Sequence, residues 1–529
     1  MIADIWLRPR PGTDAALLLG MANVIVNEGL YDRDFVANWC YGWDKFVERV
    51  SEYPPEVVSE ITWVPAEDIS EAARLYATNK PGICFEAMGI EHARNSVAAM
   101  QIMLILPAIT GQLDAPGGNL LLEPHPGIRL AAEIEGSEFL SPQQKMKAIG
   151  ADRFRMFSWE VFDRVGEFYE QALDRPFSYY YLGGVAHPPS VFRAMITGEP
   201  YPVEALITIC QNPLLNFANT RLVYEAMKKV NLSVNMDIFM TSACELADYV
   251  LPAAGHLEKP TMGHGGNQTP LVEAGATAIK PLYERRNEYD FIRELGLRLG
   301  QEGHWPWKTL EEAYDYRLEP LGLTFGEFVG GQNGYGFNNP WLRHRKYDEP
   351  GFQFGTPTGK FELYSTAMED IGYDPLPGYT EPPRSLVSDP ERAKEFPLIL
   401  IAGPRARHTY HSQFHQVESF RKKYPHPIAQ MNPMTAGELG IGNGDWVWIE
   451  TPLGRVKFKC AYFDGIDPRL VTAEHGWWFP KEPGEEPSLH GLWQSNINVV
   501  VDDDLNLCDP QSGAWTFREQ LCRVYKADG

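Results

Sequence analysis

The run Gly403-Pro-Arg-Ala-Arg-His-Thr-Tyr-His-Ser412 gathers two arginines, two histidines and several hydroxyls directly after the apolar stretch Phe396-Pro-Leu-Ile-Leu-Ile-Ala402. Such an array donates hydrogen bonds from fixed positions, and arginine grips a phosphate or carboxylate with two parallel N–H groups. Gly403, Arg405, Arg407, His411 and Ser412 are therefore candidates for holding an anionic, oxygen-rich ligand. A metal site is the alternative: His408, His411 and His415 have the spacing of one helical face, although the run 403–412 holds no Cys, Asp or Glu to complete a set.

A second candidate lies near the start, where Arg8-Pro-Arg-Pro-Gly-Thr-Asp14 leads into the apolar helical run Ala15–Asn27. The first N–H groups of a helix have no partner inside it and carry its positive dipole end, so a turn at that point can seat a nucleotide. Gly12, Thr13 and Asp14 would then hold a guanosine, with the Asp14 carboxylate accepting from the N–H edge of the base. An ordinary helix N-cap is the competing reading.

Strand ends supply the remaining candidates. Met88-Gly-Ile-Glu-His92 follows the apolar segment Gly82–Met88, Asn212 follows the nearly continuous apolar strand Val203–Cys210, and Asp237 lies within the segment Leu232–Phe239. Ligands of parallel sheets bind at the carboxyl rim of the strands, which suits Asn212 and Asp237 to a nucleotide crevice, Lys259 to a phosphate, and Asp290 to a further polar contact. Against these stand a turn asparagine, a helix-capping aspartate and a surface lysine.

The elements that must position these groups are read from periodicity. Helices are expected over Ala15–Asn27, from Pro65 to Ala77, Val97–Ile109, Arg221–Val230, near Thr241–Ala247 and Asn287–Leu299, with strands at Gly82–Met88, Val203–Cys210, Leu232–Phe239 and Tyr249–Pro252. Alternating helices and strands imply parallel α/β layers. Residues 120–200, rich in Pro and aromatics, are expected as loops and short helices over a site, and the Gly/Pro-rich stretch 303–395 as a long connection. Beyond it, Gly444–Glu450 and Gly454–Cys460 alternate around a turn and read as a hairpin of a small β-barrel, with a short helix at Asn432–Ile441 and a further strand at Leu470–Ala473.

Composition narrows the function classes. With 47 Lys+Arg against 70 Asp+Glu the net charge is −23, which opposes non-specific binding to nucleic acid or an anionic membrane. No apolar stretch reaches the ~18 residues of a membrane span. Seven dispersed cysteines contain no C-x-x-C pair, so neither a zinc site nor an iron–sulfur cluster has local ligands, and a reducing, cytoplasmic setting is expected, with an exported periplasmic form as the alternative. G-x-S-x-G, G-x-x-x-x-G-K-[ST] and H-E-x-x-H are absent.

Taken in order, Arg8–Asp14, Gln211-Asn-Pro213, Met236–Thr241 with Ala247–Ala253 and Glu258-Lys259, and Leu439-Gly-Ile-Gly-Asn-Gly-Asp445 resemble the molybdopterin oxidoreductases of the dimethyl sulfoxide reductase superfamily. The tail from Glu474-His-Gly-Trp-Trp-Phe-Pro480 to Leu521-Cys-Arg-Val524 resembles the acetylene hydratase-like branch. The resemblance implies an α/β fold: two doubly wound α/β domains, present in part, followed by a C-terminal double-psi-like β-barrel. The corresponding units are 1–195, 196–325 and 396–529, with 326–395 connecting them.

The implied cofactor is bis-(molybdopterin guanine dinucleotide) with molybdenum or tungsten. Met88 and either Glu91 or His92 would approach a pterin, as would Asn496, and Arg518 would meet the cofactor. The resemblance places a [4Fe–4S] segment and the metal-ligating residue upstream of the Arg-Pro-Gly-Thr-Asp turn. It also implies a small-molecule substrate and, as partner, an iron–sulfur electron-transfer subunit or a separate N-terminal polypeptide. A non-redox hydratase is the nearby alternative, and a chain that only binds pterin nucleotide is the non-catalytic one.

Overall fold

The computed structural model describes residues 3–121, 127–177, 186–264, 271–331, 337–338 and 344–527. Parts of the predicted covering segment, 122–126 and 178–185, lie outside the described residues. The first unit is organised by the helix Asp14–Asn27, whose buried residues include Ala15, Ala16, Leu19, Ala22, Val24 and Ile25 and therefore occupy nearly every side of it. A helix apolar all round must be enclosed, and here the helices Trp43–Ser51, Pro55–Thr62, Ala66–Thr78 and Ser96–Ile109 enclose it. Gly20 allows the close approach, since a Cβ there would stand 3.0 Å from a methyl of Val58.

The segment expected as a strand at Gly82–Met88 is extended but joins no ladder among the described residues. Its anchoring is a side chain: Asn119 Oδ1 accepts from the Cys84 N–H at 2.8 Å and Asn119 Nδ2 donates to the Cys84 carbonyl at 2.8 Å. One amide thus supplies what a neighbouring strand would supply. Ile83 and Phe85, at 60% and 86% exposure, project away from the helices. The apolar pattern is real, but the pairing needed to make it a strand is tertiary.

The second unit is a three-stranded parallel sheet in sequential order, Ala205–Ile209, Leu232–Asp237 and Tyr249–Pro252. The helix Thr220–Lys229 crosses between the first two strands and packs on the helix Pro188–Thr197 through Phe192, Met195, Val223, Ala226 and Met227. The stretch expected as a passive connection does more. Leu310–Leu318 and Phe325–Gly330 are helices that share a small core of Leu318, Phe325 and Phe328 with Ile128 and Val272. Tyr347, Phe354 and Phe361 then return to the first unit and pack edge-on to Phe35.

The last unit is a closed six-stranded barrel in the order Ile428–Met431, Gly454–Tyr462, Trp446–Thr451, Gln520–Lys526, Leu398–Ala402, Leu470–Ala473. Two of its six pairings are parallel, so it is not a simple meander. The predicted hairpin forms, with Thr451 opposite Gly454 and Val447, Ile449, Val456 and Phe458 turned into the core. The mixed α/β architecture with a terminal barrel is as the sequence implies. Among the described residues no helix is long and apolar enough to cross a membrane.

A buried ion pair ties the returning segment to the first unit. Lys346 Nζ stands 2.7 Å from Asp114 Oδ1, with side-chain exposures of 4% and 0%, and the Lys346 N–H donates to Asp114 Oδ2 at 2.8 Å. Removing one partner strands the other charge in a low-dielectric site. Lys346→Met is expected to lower stability by about 3 kcal/mol, read as a shift of the urea midpoint with an unchanged slope.

Candidate functional site

A cavity of about 640 Å³ opens where the three units meet. That is within the usual range for ligand pockets and is walled by residues remote in sequence. One wall is the carboxyl rim of the parallel sheet. Cys210, the first residue past its strand, takes φ +53°, a left-handed turn that ends the strand and directs Asn212 inward. Asn212 is 5% exposed, caps no helix with its side chain, and has neither its Nδ2 nor its Oδ1 engaged. At the next strand end, Asp237 Oδ1 accepts from the Phe239 N–H at 3.1 Å. Burial pushes the Asp237 carboxyl up, opposed by the N–H groups of Phe239 and Ile238.

Below this rim Lys259 Nζ lies 2.5 and 2.6 Å from the two oxygens of Glu288. Burial would raise the Glu288 carboxyl, but the lysine, together with the Glu288 backbone N–H and the Cys210 thiol, holds the group below its ordinary value. The pair is a preset cation–anion couple on the cavity wall.

The opposite wall comes from the barrel unit. Gly403, His411 and Ser412 line it, joined by His475 and Gly476 of the tail. Gly476 takes φ +76° and a Cβ there would come within 2.7 Å of the His411 backbone, so only glycine permits this contact. Trp478 Nε1 donates to the Ser412 carbonyl at 2.8 Å and fixes the same loop. The remaining side is Met88 and His92 with Trp515, Phe517 and Arg518. Burial, reinforced by the Arg518 guanidinium and by the neighbouring His475, pushes His92 down to about 4, so its ring is neutral.

The cavity thus collects Met88, His92, Asn212, Asp237, Lys259, Gly403, His411, Ser412 and Arg518 of the residues singled out from sequence. Between Glu91 and His92 it takes His92. The others fall elsewhere. Asp14 is one layer back, its carboxyl raised by burial and lowered by Arg518, which stands between it and the cavity. Gly12 provides room for Glu519, whose Oε2 would be 1.9 Å from a Cβ. Thr13 is fully buried and its Oγ1 donates to the Arg10 carbonyl at 2.6 Å, so it fastens its own turn.

Arg405 and Arg407 do not enter the cavity. Both are exposed, and Arg405 lies over the Tyr410 ring at 5.2 Å; with Gly476 and Trp478 pulling in only the far end of the loop, the guanidinium groups keep their water. Asp290 accepts from Asn287 Nδ2 at 2.8 Å at the start of its helix, outside the cavity. Asn496 has no free face: its Nδ2 donates to the Leu214 carbonyl and Thr220 Oγ1, and its Oδ1 accepts from the Asn498 N–H. The His408, His411, His415 metal set is not assembled, for His415 packs on Trp477 and His408 on Tyr424; among the described residues no three His, Cys, Asp or Glu side chains converge.

Sequence reasoning missed His475, Glu288, Gln416, Asn498 and Trp515 on the wall. Trp478, which from sequence suits either the lining of a substrate route or a core anchor, does line the cavity; the signals for His475, Asn498 and Trp515 were their places in the tail Glu474–Pro480 and in the segments Ser495–Asn498 and Trp515–Arg518.

Two outcomes follow from this geometry. Burial, with Asp14 and Glu381 adding to it, raises Glu519 to about 7, while an unfolded glutamate titrates near its ordinary value. The native state therefore binds more protons between those two values, and stability declines as pH rises through them. Glu519→Gln should melt higher than wild type at pH 8 and alike at pH 4, by calorimetry. Asn496→Ala, which leaves buried acceptors unpaired, should cost about 1–3 kcal/mol of stability and leave ligand affinity in the folded fraction unchanged.

Comparison with known proteins agrees with the geometry. A molybdopterin oxidoreductase family model matches residues 1–298, and a molydopterin dinucleotide binding domain matches 398–520. The chain is 38% identical to acetylene hydratase of Syntrophotalea acetylenica over 99% of its own length and 71% of that protein. It is 26% identical to dopamine dehydroxylase of Eggerthella lenta, over 92% and 53%, and 26% identical to dimethyl sulfoxide/trimethylamine N-oxide reductase of Cereibacter sphaeroides, over 94% and 62%. The chain therefore spans between about half and about seven tenths of these relatives. The solved acetylene hydratase from Pelobacter acetylenicus superposes with a TM-score of 0.94 at 36% identity, over 99% of this chain and 72% of that one. The chain belongs to the molybdopterin oxidoreductases of the dimethyl sulfoxide reductase family.

Proposed function

We propose that this chain clasps a molybdopterin guanine dinucleotide pair in an enzyme acting on a small substrate, and that the reaction is a hydration of the acetylene hydratase kind. The observation that carries the reading is a set of buried polar atoms without protein partners around one cavity. Asn212 Nδ2 and Oδ1, Asn498 Oδ1, Gln416 Oε1, Trp515 Nε1 and Arg518 Nε all lack one. Unpaired polar groups at such depth are costly, so their concentration at one site points to a ligand that offers both donors and acceptors. A pterin joined to a nucleotide through pyrophosphate does so.

The residues divide the work by chemistry. Asp237, a carboxylate at a strand end, suits the N–H edge of guanine or a ribose hydroxyl. Lys259 suits a phosphate oxygen, exchanging Glu288 for it. Arg518 offers an unengaged guanidinium N–H between the cavity and Asp14, and Asn212 can accept and donate at once. Phe517, Trp515 and Trp478 keep water from one side. When bound, the pterin-held metal, molybdenum or tungsten, supplies a Lewis-acid or redox centre.

The likeness to acetylene hydratase over nearly the whole chain favours hydration over electron transfer, with an iron–sulfur partner belonging to the redox alternative. Consumption of acetylene by the native enzyme without an electron acceptor would support hydration; substrate-dependent dye reduction with no such consumption would overturn it. Asp237→Asn should lower the guanine nucleotide released on denaturation of the purified protein by 10-fold or more, as expected from losing about 1.4 kcal/mol or more of binding. Unchanged nucleotide content would remove Asp237 from the clasp.

A further inference from the structure

Two histidines of the cavity wall form a chain whose proton positions can be deduced. His475 Nδ1 lies 2.8 Å from the Gly403 carbonyl and 3.1 Å from that of Pro404. A carbonyl only accepts, so His475 Nδ1 carries a hydrogen. Its other nitrogen, Nε2, lies 2.7 Å from His411 Nδ1. In a neutral His475 that nitrogen is bare and must accept, which places the hydrogen of the contact on His411 Nδ1. A neutral His411 then has a bare Nε2, and this atom has no hydrogen-bond partner among the described residues.

Neutrality of both rings has its own cause. Burial lowers His475, helped by the facing His411 and by Arg405 but opposed by the two carbonyls; burial and then Arg405 lower His411. The geometry is also over-determined. His411 is held at φ +54°, an unusual conformation for a residue other than glycine. The Gly476 contact and the Trp478 bond to Ser412 fix the loop on either side of the ring pair.

We propose that His475 is a positioning residue that locks His411 as its Nδ1–H tautomer, so that a bare Nε2 meets the ligand as an acceptor and selects an N–H or O–H donor there. For the identity of that ligand the inference rests on the pterin dinucleotide reading, whose pterin amide and amine are such donors. Without His475 the His411 ring is free to take the opposite tautomer and would present a donor to the same atom of the ligand. A purely space-filling role for His475 makes no such distinction.

The test is the tautomer itself, read by long-range ¹H–¹⁵N correlation on the full chain labelled at its 13 histidines. Assignments come from the signals lost in His411→Gln and His475→Gln. Expected in wild type at pH 7.5 is the Nδ1–H form for both rings. His475→Gln, whose amide oxygen can still accept, should keep His411 in that form, and His475→Phe should convert it to Nε2–H. Finding His411 as Nε2–H or doubly protonated in wild type overturns the proposal, whether or not His475→Phe folds.

The same spectrum on protein reconstituted with molybdopterin guanine dinucleotide separates this inference from the reading beneath it. Uptake is scored by the pterin released. Uptake with His411 Nε2 moved toward a hydrogen-bonded shift supports the acceptor role, and uptake with that shift unmoved overturns it. No uptake at all overturns the cofactor reading, while the tautomer result still decides the histidine pair.

Discussion

A buried amide with neither its donor nor its acceptor engaged costs a few kcal/mol, and the buried Asn212 presents both just past the end of a strand of the parallel sheet. The rest of the cavity wall shows the same imbalance, from Asn498 and Gln416 to Arg518 and Trp515. Polar atoms in ordinary cores are paired, and Asn496, one layer from the wall, shows the contrast by using both its amide nitrogen and its oxygen. Buried polar atoms without a partner occur elsewhere too, Asn235 among them, but six of them face this one cavity. That concentration defines the site more firmly than any single residue does.

The three units meet there because their polar ends cannot be buried against apolar faces. Strand ends of the parallel sheet expose backbone groups and short polar side chains. The barrel contributes a loop made to turn inward by Gly476 and Trp478. The first unit contributes His92, and behind it the start of its enclosed helix, where Asp14 faces Arg518 and Gly12 makes room for Glu519. That last contact matters for pH, since it holds a carboxyl where neither water nor a full set of donors reaches it.

Long-range connections hold this arrangement in register. The segment around Lys346 to Phe361 leaves the second unit, crosses back, and inserts both a charge and aromatic rings into the first. Arg384 bridges Asp502 and Asp504 of the tail, and Arg10 pairs with Glu381. Each of these ties a residue of the connecting stretch to another unit. The cavity is thus bordered by elements that are separately anchored, which is the preorganisation a large, many-contact ligand requires.

Much of this was legible in the residues. The all-round apolar run after Asp14 could only be an enclosed helix, the alternating pair around Pro452-Leu453 could only be a hairpin, and the strand-end positions of Asn212 and Asp237 marked the rim. These follow from local period and turn chemistry, which the sequence by itself determines. The tertiary structure alone decided which side chains reach the cavity. Arg405 and Arg407 had the right chemistry but stay in water, and Asn496 spends its amide on backbone groups and the Thr220 hydroxyl. His475, in a tail segment that gave no sign of what it would touch, came to face His411 across 64 residues of chain. Residue type and spacing fix what a group can do; only the path of the loops, set by contacts as distant as Gly476 against His411, fixes whether its partner will be protein, water or ligand.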